Sequence, residues 1–346
     1  MSQAQRSVSP RLDLHADTLS RILELGLGPE AFLGDGGLGK PLGSESPLQV
    51  DLTGALEARI DGLFQAVFVE PPGLGSGPSS IGPRMAGLRW GLEQAALLEE
   101  ILQRGAGRVA GARSAQGLLE NRAAGKLSLV LSLENAGDVC EGSLRVLSVY
   151  RRLGVRCAGL VWFARNAFGS GVGQTSDPGG LSPRGIEAVR ALGAMGMAVD
   201  VSHLNPAGVR DVLEAATGPV VATHSNARAV CDHPRNLDND SIREIAARGG
   251  VVGLCLFPKF LRDPAQGPAT IEDAVRHLEH IASVGGLGCI ASGSDFDGIS
   301  SMPEGLRGIR DLPRISEALR RRGWSDDEIS RFEGGNAFRV LEMLGE

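Results

Sequence analysis

Lysine is almost absent from this 346-residue chain. Only Lys40, Lys126 and Lys259 occur, and arginine carries the rest of the positive charge. Acidic residues outnumber basic ones, and the net charge of −6 gives no general attraction for phosphate backbones, which argues against a nucleic-acid partner. Cysteine is scarce too: Cys140, Cys157, Cys231, Cys255 and Cys289 are odd in number and form no CxxC pair. Four lie in or beside apolar runs, so buried free thiols are expected and a disulfide framework is excluded. No apolar run approaches the length needed to cross a bilayer, and the polar stretch Met1–Pro10 has no hydrophobic segment of the kind a secretory signal carries. The reading is a cytoplasmic enzyme without a membrane partner, with residues 1–10 a disordered N-terminus and 11–346 a single domain.

What the chain does have is five apolar runs that each end on a residue able to bind a metal. They close as Leu14-His15-Ala16-Asp17, Leu131-Ser132-Leu133-Glu134, Val201-Ser202-His203, Ala222-Thr223-His224 and Ser292-Gly293-Ser294-Asp295. A polar residue is tolerated where a buried strand emerges, and imidazole with carboxylate is the donor mix that suits zinc and its neighbours. Eight strands are expected at roughly 12–16, 62–69, 127–133, 156–162, 198–202, 219–223, 250–256 and 289–294. They are short and continuously apolar, as strands buried on both faces should be. Helical patterns fill the gaps, among them 85–104, 183–195 after Ser182, 206–216 after Asn205 and 271–284 after Thr270, then two more at about 311–322 and 326–344. Strict alternation with eight strands predicts an α/β fold, a (β/α)8 TIM barrel of the metal-dependent hydrolase type, with the five tips at its mouth. The rival doubly wound sheet would carry a glycine-rich phosphate turn after its first strand, where this chain has His15-Ala16-Asp17.

His15 and Asp17, two residues apart, can serve one metal from a single strand end. Glu134 can bridge two cations or be a salt-bridged loop residue, and His203 and His224 on successive strands can share a second metal. Asp295 ends the last strand and so lies beside the first, free to ligate or to move protons, while Asp297 suits the turn with Gly298. Arg235 can clamp a substrate carboxylate or pair with Asp232 or Asp238. Loops 26–48 and 71–84 are expected over the mouth, as plain connections or as a lid. His277 and His280 share a helix face expected to be solvated. Lys259 is expected at the surface. Gly34–Lys40 resembles a phosphate loop but has Pro41 where a hydroxyl is needed.

With these residues laid out, the chain resembles the renal (membrane) dipeptidase family of dizinc peptidases, from about Leu12 to Leu344. The resemblance rests on six motifs: Asp13-Leu14-His15-Ala16-Asp17, Ser132–Asn135, Asp200-Val201-Ser202-His203, Thr223–Ala227, Pro234–Asp240 and Gly293-Ser294-Asp295-Phe296-Asp297-Gly298. It implies two Zn2+ per chain with a bridging water or hydroxide. His15 and Asp17 would hold the first and His203 and His224 the second, with Glu134 bridging. It further implies Arg235 on the C-terminal carboxylate of a dipeptide and Asp295 handling protons as a general base. The implied activity is hydrolysis of small dipeptides, extending to those with a C-terminal D-residue. Relatives are commonly dimers, so a homodimer is an open expectation. Two departures bear on the substrate wall. Leu160–Asn166 lacks the histidine that relatives often carry there, and Cys255-Leu256-Phe257-Pro258 replaces a stretch where relatives show Asn and Tyr. Trp162 and Phe257 are expected opposite Arg235. The same metal pair could instead serve another amide, cyclic amide or ester, or the barrel could bind metal without catalysis. A carbamylated-lysine bridge of the phosphotriesterase kind is excluded, since no lysine lies within 156–165.

Overall fold

The computed structural model describes residues 9–34, 48–70, 86–174 and 179–345. Loops 26–48 and 71–84 and the phosphate-loop lookalike fall largely outside them, as do residues 1–8 of the N-terminus expected to be disordered. Among the described residues, nine parallel strands run as β1 (Leu12–Ala16), β2 (Gly62–Phe68), β3 (Val109–Gly111), β4 (Leu127–Glu134), β5 (Cys157–Gly159), β6 (Ala198–Asp200), β7 (Val220–Val221), β8 (Val252–Leu254) and β9 (Ile290–Ser292). Eight form a ring in the order β1-β2-β4-β5-β6-β7-β8-β9. Asp13 pairs with Ser292 to join β9 to β1, and a bridge between Ala222 and Val252 closes β7 on β8. This is the expected (β/α)8 barrel. β3 is additional. It pairs only with the start of β4, outside the ring, and its three residues lie among glycines with too short an apolar pattern to read from sequence.

β4 shows why the tips carry the chemistry. Leu127, Leu129, Leu131 and Leu133 pack into the layer shared with the surrounding helices, whereas Val130 belongs to the cluster inside the barrel. The two-residue period of a strand therefore turns Ser128, Ser132 and Glu134 inward with Val130. In β1 the register slips: Asp13 faces Leu63 but Ala16 faces Gln65, so one extra residue is inserted where His15 enters the site. Such bulges re-aim side chains.

The expected helix starts hold. Ser182 and Asn205 accept the backbone N–H groups of Gly185 and Gly208 at 3.0 and 2.8 Å, each satisfying an otherwise orphaned donor, and Asp238 does the same for Ser241 at 2.8 Å at the start of a helix, Asn239–Ala247, that was not expected. Thr270 and Asp273 form a reciprocal capping box for Ile271–Gly285. The single helix expected over 326–344 is instead broken into Asp326–Ser330 and Asn336–Met343. At the break, a Cβ on Gly334 would lie 2.2 Å from the Pro10 carbonyl oxygen, so the chain kinks where it presses on the strand leading into the barrel. Beyond it, Ala337, Val340, Leu341 and Leu344 pack with Leu12, Leu14, Phe64 and Val130. This plugs the N-terminal end of the barrel and leaves the opposite end as the mouth.

All five cysteines are free and buried, as expected. His277 corrects the sequence reading. It is fully buried, not solvated: Nδ1 accepts the Ala227 N–H at 3.1 Å, and Nε2 lies 3.1 Å from the Leu261 carbonyl. Helical periodicity gave its face but not the two loops that cover it.

Candidate active site

Four non-glycine residues near the mouth hold left-handed backbone: Asn135 (φ 60°), His203 (φ 70°), Asp295 (φ 65°) and Asp297 (φ 66°). That conformation costs an L-residue about 1–3 kcal/mol and collects at functional sites. Three of the four are a predicted site residue or sit beside one.

Glu134 is the centre of the constellation. Its Oε2 lies 3.4 Å from His15 Nε2, while its Oε1 lies 2.6 Å from His203 Nε2 and 3.6 Å from His224 Nε2. Asp17 Oδ2 is 3.4 Å from the same His15 nitrogen. Three overlapping sets, His15–Asp17–Glu134, Glu134–His203–His224 and His15–His224–Asp295, each bring three donor atoms within 4.8 Å of one another. The residues expected to act together are thus brought together from β1, β4 and the tips after β1, β6, β7 and β9.

The donors fit cations. His15 Nε2 and Asp17 Oδ1 are buried without a hydrogen-bond partner. Asp17 stands at the N-cap of Thr18–Glu24, yet its carboxylate makes no capping bond. Burial opposes a charge on His15, but Asp17 and Glu134 beside Nε2 hold its pKa well above the ordinary value, so this pocket favours positive charge. Burial likewise works against the Glu134 carboxylate, but His203 and His15 outweigh it and keep its pKa well below the usual range. Burial, His15 and Arg235 hold His224 neutral, which is the state an imidazole ligand needs.

Asp295 sits against this group. Its N–H donates to the His15 carbonyl at 3.1 Å, and the Cys255 thiol donates to its Oδ2 at 3.3 Å. Burial pushes its pKa up to about 7, with Asp17 and Glu134 adding to the rise and His15 and Arg235 opposing it. A carboxyl poised near neutrality can both take and give a proton. Gly298 is needed here for space, since a Cβ on it would lie 2.2 Å from Asp17 Oδ2. Asp297 does more than shape a turn. It accepts from Thr18 Oγ1 at 2.7 Å and from the Gln49 N–H at 2.6 Å, and so ties three segments of the rim together.

Arg235 is buried without a carboxylate partner among the described residues. Neither Asp232 nor Asp238 pairs with it, and Asp238 caps a helix instead. NH2 donates to the His224 carbonyl at 3.2 Å, NH1 reaches Ser225 Oγ at 3.4 Å, Nε has no partner, and the Phe260 ring lies 5.4 Å beneath. An unmatched guanidinium in a buried wall is suited to an anionic group. It lines a cavity of about 690 Å³ with Glu134, Asp295, Trp162, Phe163, Phe257 and Phe260. Trp162 and Phe257, expected opposite Arg235, line the same cavity as it does. The sequence reading did not single out Phe260, whose helical position after Pro258 gave no sign that it would meet Phe257 edge to face, with centroids 4.8 Å apart, and underlie Arg235. It also passed over Asp13 and Asp200, buried acids in the strands that hold the backbone of the tips.

A family model described as membrane dipeptidase (peptidase family M19) matches residues 3–345. Dipeptidase aclJ of Aspergillus oryzae is 30% identical over 296 residues, covering 85% of this chain and 69% of that protein. A Klebsiella pneumoniae protein described only as uncharacterised, in the pqqA 5′ region, is 36% identical over 260 residues, or 73% of this chain and 95% of that one. Among solved structures, a metallopeptidase from Rhodobacter sphaeroides, liganded with a phosphinate mimic of the dipeptide L-Ala-D-Ala, superposes with a TM-score of 0.85 at 28% identity and covers 97% of this chain and 99% of its own. No helix among the described residues is long and apolar enough to cross a membrane.

Proposed function

Since the chain belongs to the membrane dipeptidase family and is a metallo-dipeptidase, we propose that it cleaves dipeptides with a free C-terminal carboxylate, those with a C-terminal D-residue included, using two zinc ions. The observation that carries this reading is the division of Glu134, one oxygen toward His15 and the other toward His203 and His224. His15 and Asp17 would hold one cation, His203 and His224 the other, and Glu134 both. When bound, such a pair supplies Lewis-acid polarisation of the carbonyl and a water acidic enough to attack at neutral pH.

The chain's own groups do the rest. Arg235 binds the substrate carboxylate in the cavity that it shares with Glu134, so short substrates with a free C-terminus fit. Trp162, Phe257 and Phe260 line the wall and exclude water around the scissile bond. Asp295 takes the proton of the attacking water and returns it to the leaving amine. The extension to D-residues draws support from the R. sphaeroides structure, whose ligand mimics L-Ala-D-Ala. Trp162 lies in Leu160–Asn166, the segment where members of the resembled family often carry a histidine, and helps select among dipeptides. Purified protein is expected to contain close to two zinc ions per chain and to hydrolyse dipeptides of both configurations at the C-terminus. Full turnover by metal-free protein would defeat the proposal, and inactivity toward D-terminal dipeptides would limit it to L-substrates.

A further inference from the structure

We propose that Thr223 is a positioning residue shared by both halves of the metal site, its single hydroxyl fixing the tautomers of His15 and His224 together. The inference rests on the two-cation reading above and deepens it. Asp200 starts the chain of bonds. Its Oδ1 accepts the Ser202 and Thr223 N–H groups, both at 2.9 Å, and its Oδ2 lies 2.5 Å from Thr223 Oγ1. A carboxylate only accepts, so the Thr223 proton is committed to Asp200. What remains on Oγ1 is lone pairs. These face His224 Nδ1 at 2.8 Å and His15 Nδ1 at 3.4 Å. Each Nδ1 must then carry hydrogen and donate it, which leaves each neutral ring with a bare Nε2. Nε2 is the atom that both rings turn toward Glu134.

Every member is buried: Asp200, Thr223, His15 and His224 are each at most 4% exposed, so no water competes for these bonds. The two rings stack with centroids 3.8 Å apart, the separation that lets one hydroxyl reach both. His203 is outside the relay; its Nδ1 has no partner. Outer partners of this kind orient metal-binding imidazoles, and their loss typically weakens metal affinity about 10–100-fold. Here one hydroxyl does so for both cation sites.

The test compares wild type with Thr223→Val, Thr223→Ser and Asp200→Asn. Metal-free protein is titrated with zinc against a competing chelator, with bound zinc read by elemental analysis and fold by circular dichroism. Thr223→Val keeps the shape and removes the hydroxyl; it should weaken both sites about 10–100-fold. Thr223→Ser should restore both. Asp200→Asn keeps a carbonyl for the two N–H groups but turns an NH2 toward Oγ1. The hydroxyl must then donate to one imidazole, the nearer His224, so one site should weaken far more than the other. The inference is overturned if Thr223→Val binds both zinc ions as tightly as wild type, or if Thr223→Ser is as weak as Thr223→Val. Should Thr223→Val fail to fold, Asp200→Asn decides: unchanged affinity at both sites overturns the inference. Wild type that binds no zinc defeats the two-cation reading itself, whereas two zinc ions in wild type and in every variant defeat only the role of Thr223.

Discussion

Glu134 and His203 meet at 2.6 Å, Oε1 to Nε2, while the other oxygen of the same carboxylate turns away toward His15. Only the inward phase of β4 allows one side chain to address both histidines. Replacing Glu134 by Gln keeps the volume and removes the charge. It should lower bound zinc below two per chain and reduce kcat/KM by at least about 100-fold, as expected when a group serving both metals is lost. Elemental analysis beside steady-state kinetics checks this; a Glu134→Gln protein with two zinc ions and wild-type turnover would remove the bridge from the argument.

Asp295 lies at the edge of the donor group, with a thiol on Oδ2 and its backbone tied to His15. If it moves protons, Asp295→Asn should keep close to the wild-type zinc content and lose about 10²–10⁴-fold in kcat, the usual range for a general acid–base group. Loss of zinc with little loss per loaded site would instead make Asp295 a ligand. The two outcomes separate by measuring metal and rate on the same sample.

Arg235 has an unpartnered Nε and, among the described residues, forms no ion pair with a carboxylate. A buried charge-assisted bond contributes roughly 1.5–3 kcal/mol, or about 10–100-fold. Arg235→Ala should therefore lower kcat/KM for a dipeptide by about that factor, mostly through KM. The same dipeptide with its C-terminus amidated should show little difference between the two proteins. Equal losses on both substrates would mean that Arg235 supports the loop rather than binding the carboxylate.

The barrel and the donor set were legible because both come from local patterns. Continuous apolar runs marked strands buried on two faces, and a histidine or acid at each end marked the tip. His15, Asp17, Glu134, His203 and His224 therefore converge where the alternation put them. What depended on tertiary approach was hidden. Gly334 kinks the final helix because of its contact with Pro10, which no helical periodicity reveals. Thr223 and Asp200 look like ordinary strand residues until two strands and two imidazoles surround them. Asp297 and Gln49 pair across 248 residues of sequence. His277 looked like a solvated helix residue because the chain segments that cover it, at Ala227 and Leu261, lie far away in sequence.

That buried His277 makes a prediction about acid stability that is independent of the metals. Burial lowers its pKa from 6.5 to about 4, a change opposed only in part by its bond with Leu261. The folded protein thus holds a neutral imidazole that the unfolded chain protonates below pH 6.5. The unfolded state binds more protons between the two values, so stability is intact above pH 6.5 and falls as pH drops toward 4. At about 1.4 kcal/mol per pKa unit, the loss between pH 7 and pH 5 from this residue is on the order of 2 kcal/mol. Burial raises Asp17 to about 6 and Asp295 and Asp297 to about 7, in the same range, so the contribution is read as a difference between proteins. His277→Asn retains an acceptor for the Ala227 N–H and cannot titrate. It should be less stable than wild type at pH 7, and the gap should narrow by about 2 kcal/mol at pH 5, measured by urea unfolding at each pH. A gap that stays constant would mean that His277 keeps an ordinary pKa in the folded protein.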